Sequence, residues 1–126
     1  MNKGHFKLNT KDDNIYMAYT EGILSETMYE NLINKSENLI NKLNPNGYVM
    51  FIDARKFEGS TPKSYKMYDF HNKWINENSK LLAKAVVLSD SINVKIKISY
   101  LKYINQQNIK YFLDEKEAWN WLNQYI

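Results

Sequence analysis

The chain contains no cysteine, which excludes disulfides, thiolate nucleophiles and cysteine-ligated metals. That absence suits a reducing compartment. The N-terminal Met1-Asn2-Lys3-Gly4-His5-Phe6-Lys7 has no apolar signal core, and no apolar run is long enough to span a bilayer. A cytoplasmic location is therefore the expectation. Arginine occurs once, as Arg55, among 17 Lys and Arg against 14 Asp and Glu. Nucleic-acid readers rely on arginine forks and a basic stripe, so a net charge of +3 serves solubility here. Histidine is scarce too, with His5 and His71 alone. Neither stands in a His-x-x-x-His or Glu-x-x-His pattern, so no metal site is expected. No glycine-rich phosphate cradle is present, and no cofactor is expected. With four Gly, two Pro, 44% hydrophobic and 14% aromatic residues, the composition is that of one folded domain spanning residues 1–126.

What is present is an alternation of strand and helix signals. Phe6-Lys7-Leu8 and Ile15-Tyr16-Met17-Ala18-Tyr19 flank a polar turn, as in a hairpin, with Glu21-Gly22 breaking the second run. Ser25 or Thr27 caps a helix whose apolar face is Met28, Leu32, Ile33, Leu39, Ile40 and Leu43. Tyr48-Val49-Met50-Phe51-Ile52 is a continuous apolar run, the mark of a strand covered on both faces, ending at Asp53-Ala54-Arg55-Lys56. Thr61 and Pro62 suit the N-cap and first turn of a second helix, on which Tyr68, His71, Trp74 and Ile75 share a face until about Asn78. Residues 83–88 read as another buried strand. The stretch 94–104 fits strand alternation locally, yet its place between two buried strands favours a crossover helix. A short strand over 109–113 and a helix over 114–122 close the chain. The order ββαβαβαβα predicts an α/β fold: a mixed, mostly parallel sheet of about five strands with about four helices.

The residues that invite chemistry are few. Asp53 and Asp90 each follow a buried strand, where α/β sheets bind ligands, and with Ser60, Ser89 and Ser91 they form a candidate polar edge. Loop capping is the alternative use of both carboxylates. His71 has nothing converging on it, so a hydrogen-bonded, partly buried histidine is the expectation. Tyr65, Tyr68 and Trp74 on one helix and Trp119 on another are candidate aromatic contacts; Trp121 is assigned to the core.

This order and local sequence resemble the STAS-like fold of sulfate-transporter and anti-sigma-antagonist domains, with small bacterial STAS/SEC14-type proteins the nearest subgroup. The resemblance rests on Asp53, on 83–90 as the fourth strand, and on Phe112 followed by Ala118 and Trp121-Leu122. It implies a regulatory feature, a phosphorylatable serine opening the helix after the third strand. Here that stretch is Phe57-Glu58-Gly59-Ser60-Thr61-Pro62, with Ser60 in the phosphoacceptor place. Gly59 replaces the family's acidic residue, and Pro62 stands where glycine is usual. Ser60 and Thr61 as plain helix caps are the competing reading. The leading functional expectation is a non-enzymatic module that binds a protein partner, or itself, through the helix near Thr61 and the loop before it. Second comes a carrier of a small apolar or lipid-like ligand, and third a weak enzyme at the Asp53, Ser60 and Asp90 edge.

Overall fold

In the computed structural model, residues 3–90 and 108–126 are described. The expected helix over 94–104, with Ser91, lies outside them. Five strands form one sheet in the order β1-β2-β3-β4-β5. They are β1 (His5–Lys11), β2 (Ile15–Leu24), β3 (Tyr48–Ser60), β4 (Leu81–Val87) and β5 (Ile109–Phe112). β1 pairs antiparallel with β2 through the hairpin, and β2 to β5 run parallel. Three helices accompany them among the described residues: α1 (Glu26–Ile40), α2 (Pro62–Asn78) and α3 (Glu115–Leu122).

Parallel neighbours need crossovers of one hand, which places α1 and α2 on the same face of the sheet. Alternation along β3 divides the core accordingly. Val49 and Phe51 point to α3, where they meet Ala83, Ala85, Val87, Ala118 and Leu122. Tyr48 and Met50 point to α1 and α2, where they meet Tyr16, Ala18, Ile40 and Ile75. The unbroken apolar run at the start of β3 follows from this two-sided burial.

Helix starts follow local chemistry. The Ser25 side chain accepts from Met28 N at 3.2 Å, which selects it over Thr27 as the cap of α1. Thr61 accepts from Ser64 N and precedes Pro62, as expected. Asp114 caps α3 by accepting from Lys116 N.

Two strand ends differ from expectation. Glu21-Gly22 does not break β2, which runs to Leu24, and β3 does not stop at Asp53 but continues to Ser60. The pairing slips between Tyr19 and Glu21 and again between Gly22 and Ile23, each slip placing an extra residue in β3. Gly22 at φ 67° and Gly59 at φ 141° supply backbone that other residues adopt only with strain. Glycine that reads as a breaker in isolation works here as a bulge within a paired ladder.

Candidate functional site

Continuity of β3 changes the layout of the candidate residues. Asp53 and Ser60 occupy one strand and stand as much as roughly 23 Å apart at ~3.3 Å per residue. Asp53 is level with Val87 at the end of β4, and the exposed Asp90 follows that strand. Asp53 thus stands mid-strand, where the pairing of β3 with β4 ends, and Asp90 follows the end of β4, whereas Ser60 is the last residue of β3.

Asp53 is held by Arg55 in a two-pronged pair, Nε to Oδ1 at 2.9 Å and Nη2 to Oδ2 at 2.7 Å. These bonds hold its carboxyl below the ordinary value, and the same pair raises the guanidinium. Arg55 also reaches Glu115 on α3 at 3.5 Å. A carboxylate so engaged is a poor base, and the arrangement ties β3 to the start of α3.

At the C-terminal end of β3, Ser60 is half-buried and pairs with Leu24. Thr61 Oγ1 lies 2.8 Å from Ser64 Oγ and accepts from Ser64 N at 3.3 Å, so its hydroxyl serves the cap. Along α2, Tyr65 is 43% exposed. Tyr68 and Trp74 are half-buried, and Trp74 stacks near His71 with ring centroids 6.3 Å apart. Trp119 is half-buried and stacks on Phe51 at 4.4 Å. Trp121, also half-buried, packs on Phe112 and Tyr125. The most exposed aromatic on α2 is Phe70, at 75%.

Beneath α2 lies a polar cluster. Tyr16 Oη donates to Ser36 Oγ at 2.9 Å, and Ser36 Oγ lies 3.0 Å from His71 Nε2. Since Ser36 accepts from Tyr16, its own hydrogen is free to go to Nε2. That leaves the imidazole hydrogen on Nδ1, an atom without a hydrogen-bond partner, 4.0 Å from Glu37 Oε1. Burial, helped by the Lys84 charge, pushes His71 down to about 4, so at neutral pH it is an uncharged link between α1 and α2. Burial pushes Tyr16 up to about 12. Beside this chain, Lys84 of β4 is only 5% exposed and donates to Tyr68 Oη at 2.9 Å. Burial would raise the Tyr68 phenol, yet the Lys84 charge and the bonds from Lys84 and Asn72 together bring it below its ordinary value.

Sequence reasoning misses Ser36, Phe70 and Lys84. Lys84 carries a signal, being the one charge inside Leu81-Leu82-Ala83-Lys84-Ala85-Val86-Val87-Leu88. Ser36 does too, falling midway between Leu32 and Ile40 on the buried stripe of α1.

No family model matches the chain, and no curated protein matches it. Solved structures do. An uncharacterised protein of the DUF3478 family with a SpoIIAA-like fold, from Shewanella loihica PV-4, superposes with a TM-score of 0.67 at 15% identity, covering 94% of this chain and 93% of that one. An anti-sigma factor antagonist from Mycobacterium paratuberculosis superposes with a TM-score of 0.63 at 11% identity, covering 96% and 95%. The fold is STAS-like, as the sequence resemblance implies. Among the described residues, no helix is long and apolar enough to cross a membrane.

Proposed function

We propose that this STAS-like chain is a non-catalytic cytoplasmic module that binds a protein partner, or a second copy of itself, through the outer face of α2. The observation that carries the reading is Phe70, a phenylalanine 75% exposed in the middle of a helix. Met67 and Trp74 stand one turn to either side of it; each packs against the core and remains partly exposed, so Phe70 has apolar neighbours along the helix. Apolar surface left in water usually marks a contact. Exposed Lys63, Lys66, Asp69 and Lys73 surround it and give the polar rim such contacts have.

Two further points support the reading. Asp53 is tied to Arg55 and His71 is locked between two helices, so neither is poised as a base. One structural neighbour is named for action on a protein, an anti-sigma factor antagonist. Ser60 and Thr61 stand where β3 enters α2, at the start of the helix that carries Phe70. Thr61 is committed to the cap, which leaves Ser60 as the position where a phosphate would alter the contact. Native mass spectrometry of host-purified protein reads that directly, as a phosphate-sized shift that Ser60→Ala removes.

The contact itself is tested by placing a photo-crosslinking phenylalanine analogue at position 70 in the host cell, with position 7 on β1 as the control. A discrete adduct at 70 and none at 7 is expected, and mass spectrometry of the adduct names the partner. Calorimetry on the purified pair then shows binding at least about tenfold weaker for Phe70→Glu. Equal crosslinking at both positions, or unchanged affinity in Phe70→Glu, overturns the proposal.

A further inference from the structure

Lys84 breaks a packing rule. Lysine is almost never fully buried unless paired with a counter-charge. Its side chain faces α2 from the middle of the sheet, 5% exposed, and its ammonium donates to a neutral phenol, Tyr68 Oη, at 2.9 Å. Among the described residues no carboxylate forms an ion pair with it. Residues 91–107 contain neither Asp nor Glu. A buried charge kept without a counter-charge is costly, and such departures concentrate at functional sites.

We infer that Lys84 and Tyr68 form a binding site for a small carboxylic acid, held as its carboxylate between α2 and β4. The donors are in place. Tyr68 takes one of the three ammonium hydrogens, and a bound carboxylate would take another. Because Tyr68 Oη accepts from Lys84, its own hydrogen can be donated to a bound carboxylate. Tyr111 of β5 adds a second hydroxyl. The pairings Lys84–Ile109 and Val86–Tyr111 set it on the same face as Lys84.

Charge decides the class of ligand. Among the described residues Lys84 is the one cation bonded within this cluster, a single charge that a carboxylate balances and a phosphate dianion would overbalance. The Lys84 ammonium, 2.9 Å from Tyr68 Oη, supplies the positive charge at this spot, and it holds the phenol below its ordinary value against burial. Tyr29, edge-on to Tyr68 at 6.3 Å, gives the site an aromatic wall suited to a short apolar tail.

The test is an NMR titration of the full-length chain at neutral pH with sodium butyrate, at ionic strength matched with sodium chloride. Saturable amide shifts clustered on β4 and α2 are expected, with butyramide, the uncharged isostere, producing none. Lys84→Met should weaken butyrate binding at least about tenfold. Tyr68→Phe, which keeps the ring and removes the hydroxyl, should also weaken it; it provides a second reading should the lysine variant fail to fold. Shifts that never saturate, equal shifts with butyramide, unchanged affinity in both variants, or tighter binding of inorganic phosphate would each overturn the assignment. None of these outcomes depends on the contact proposed for Phe70.

Discussion

Acid should loosen the α1–α2 interface through His71. The ring is 6% exposed, bonded through Nε2 to Ser36, and stacked near Trp74. Three groups on neighbouring elements face it: Glu37 from α1, Tyr16 beyond Ser36 from β2, and Lys84 from β4. Burial comes first and Lys84 second, and together they push the imidazole down to about 4 from 6.5. Glu37 favours the proton, but at 4.0 Å it is beyond hydrogen-bond reach and a third of its side chain is in water. A folded pKa below the unfolded one means the unfolded chain binds the proton more tightly. The stability is therefore intact above about pH 6.5 and lost as pH falls towards 4. At ~1.36 kcal/mol per pH unit the full loss is ~3.4 kcal/mol, of which ~2 kcal/mol falls between about pH 7 and pH 5. Urea unfolding followed by tryptophan fluorescence at several pH values measures this. His71→Gln keeps a polar group near Ser36 but does not titrate, so it should lose ~2 kcal/mol less over the same interval. His5 and the carboxylates are common to both proteins and cancel in the comparison. Parallel pH profiles, or a histidine that titrates above 6.5 in the native protein because Glu37 dominates, would refute the reasoning.

Other expected outcomes follow from the same contacts. Ser36→Ala strips a partner from both Tyr16 and His71 at a site 0% exposed, and should cost ~2–4 kcal/mol in urea unfolding. Leu122→Ala opens a cavity between α3 and the sheet, where Leu122 is 0% exposed, and should cost ~2–5 kcal/mol by the same assay. Lys84→Met replaces a buried charge that has no counter-charge with an apolar chain of similar shape. It should leave thermal stability unchanged or raise it by ~1–2 kcal/mol in the absence of ligand. Arg55→Ala removes a pair whose arginine side chain is 42% exposed, so chemical denaturation should register no more than about 1 kcal/mol.

Signals that act within a few residues are legible in the sequence alone. Thr61-Pro62 announces the start of α2, because a cap and a fixed φ are properties of those residues themselves. The apolar run 48–52 announces a strand covered on both faces, and the order of elements suffices for a mostly parallel sheet. Strand ends are less legible. β2 and β3 run past Glu21-Gly22 and past Asp53 because each extends the other's ladder, and a bulge is a property of two paired strands. A polar edge that joins Ser60 to Asp53 requires the strand to end between them, and the longer β3 carries Ser60 away.

Tyr65, Tyr68 and Trp74 are candidate aromatic contacts on one helix, yet Tyr68 and Trp74 turn to Lys84 and His71 while Phe70 is left in water. Helical periodicity places these residues around an axis but does not say which side the sheet covers. Sequence by itself determined the class of fold, the start of α2 and the absence of thiol chemistry, since these depend on near neighbours and composition. Tertiary structure alone decided that Lys84 is enclosed, that Ser36 joins Tyr16 to His71, and that Phe70 faces solvent. Each of those outcomes depends on a partner far away in the chain, brought close only when α1 and α2 close over the sheet.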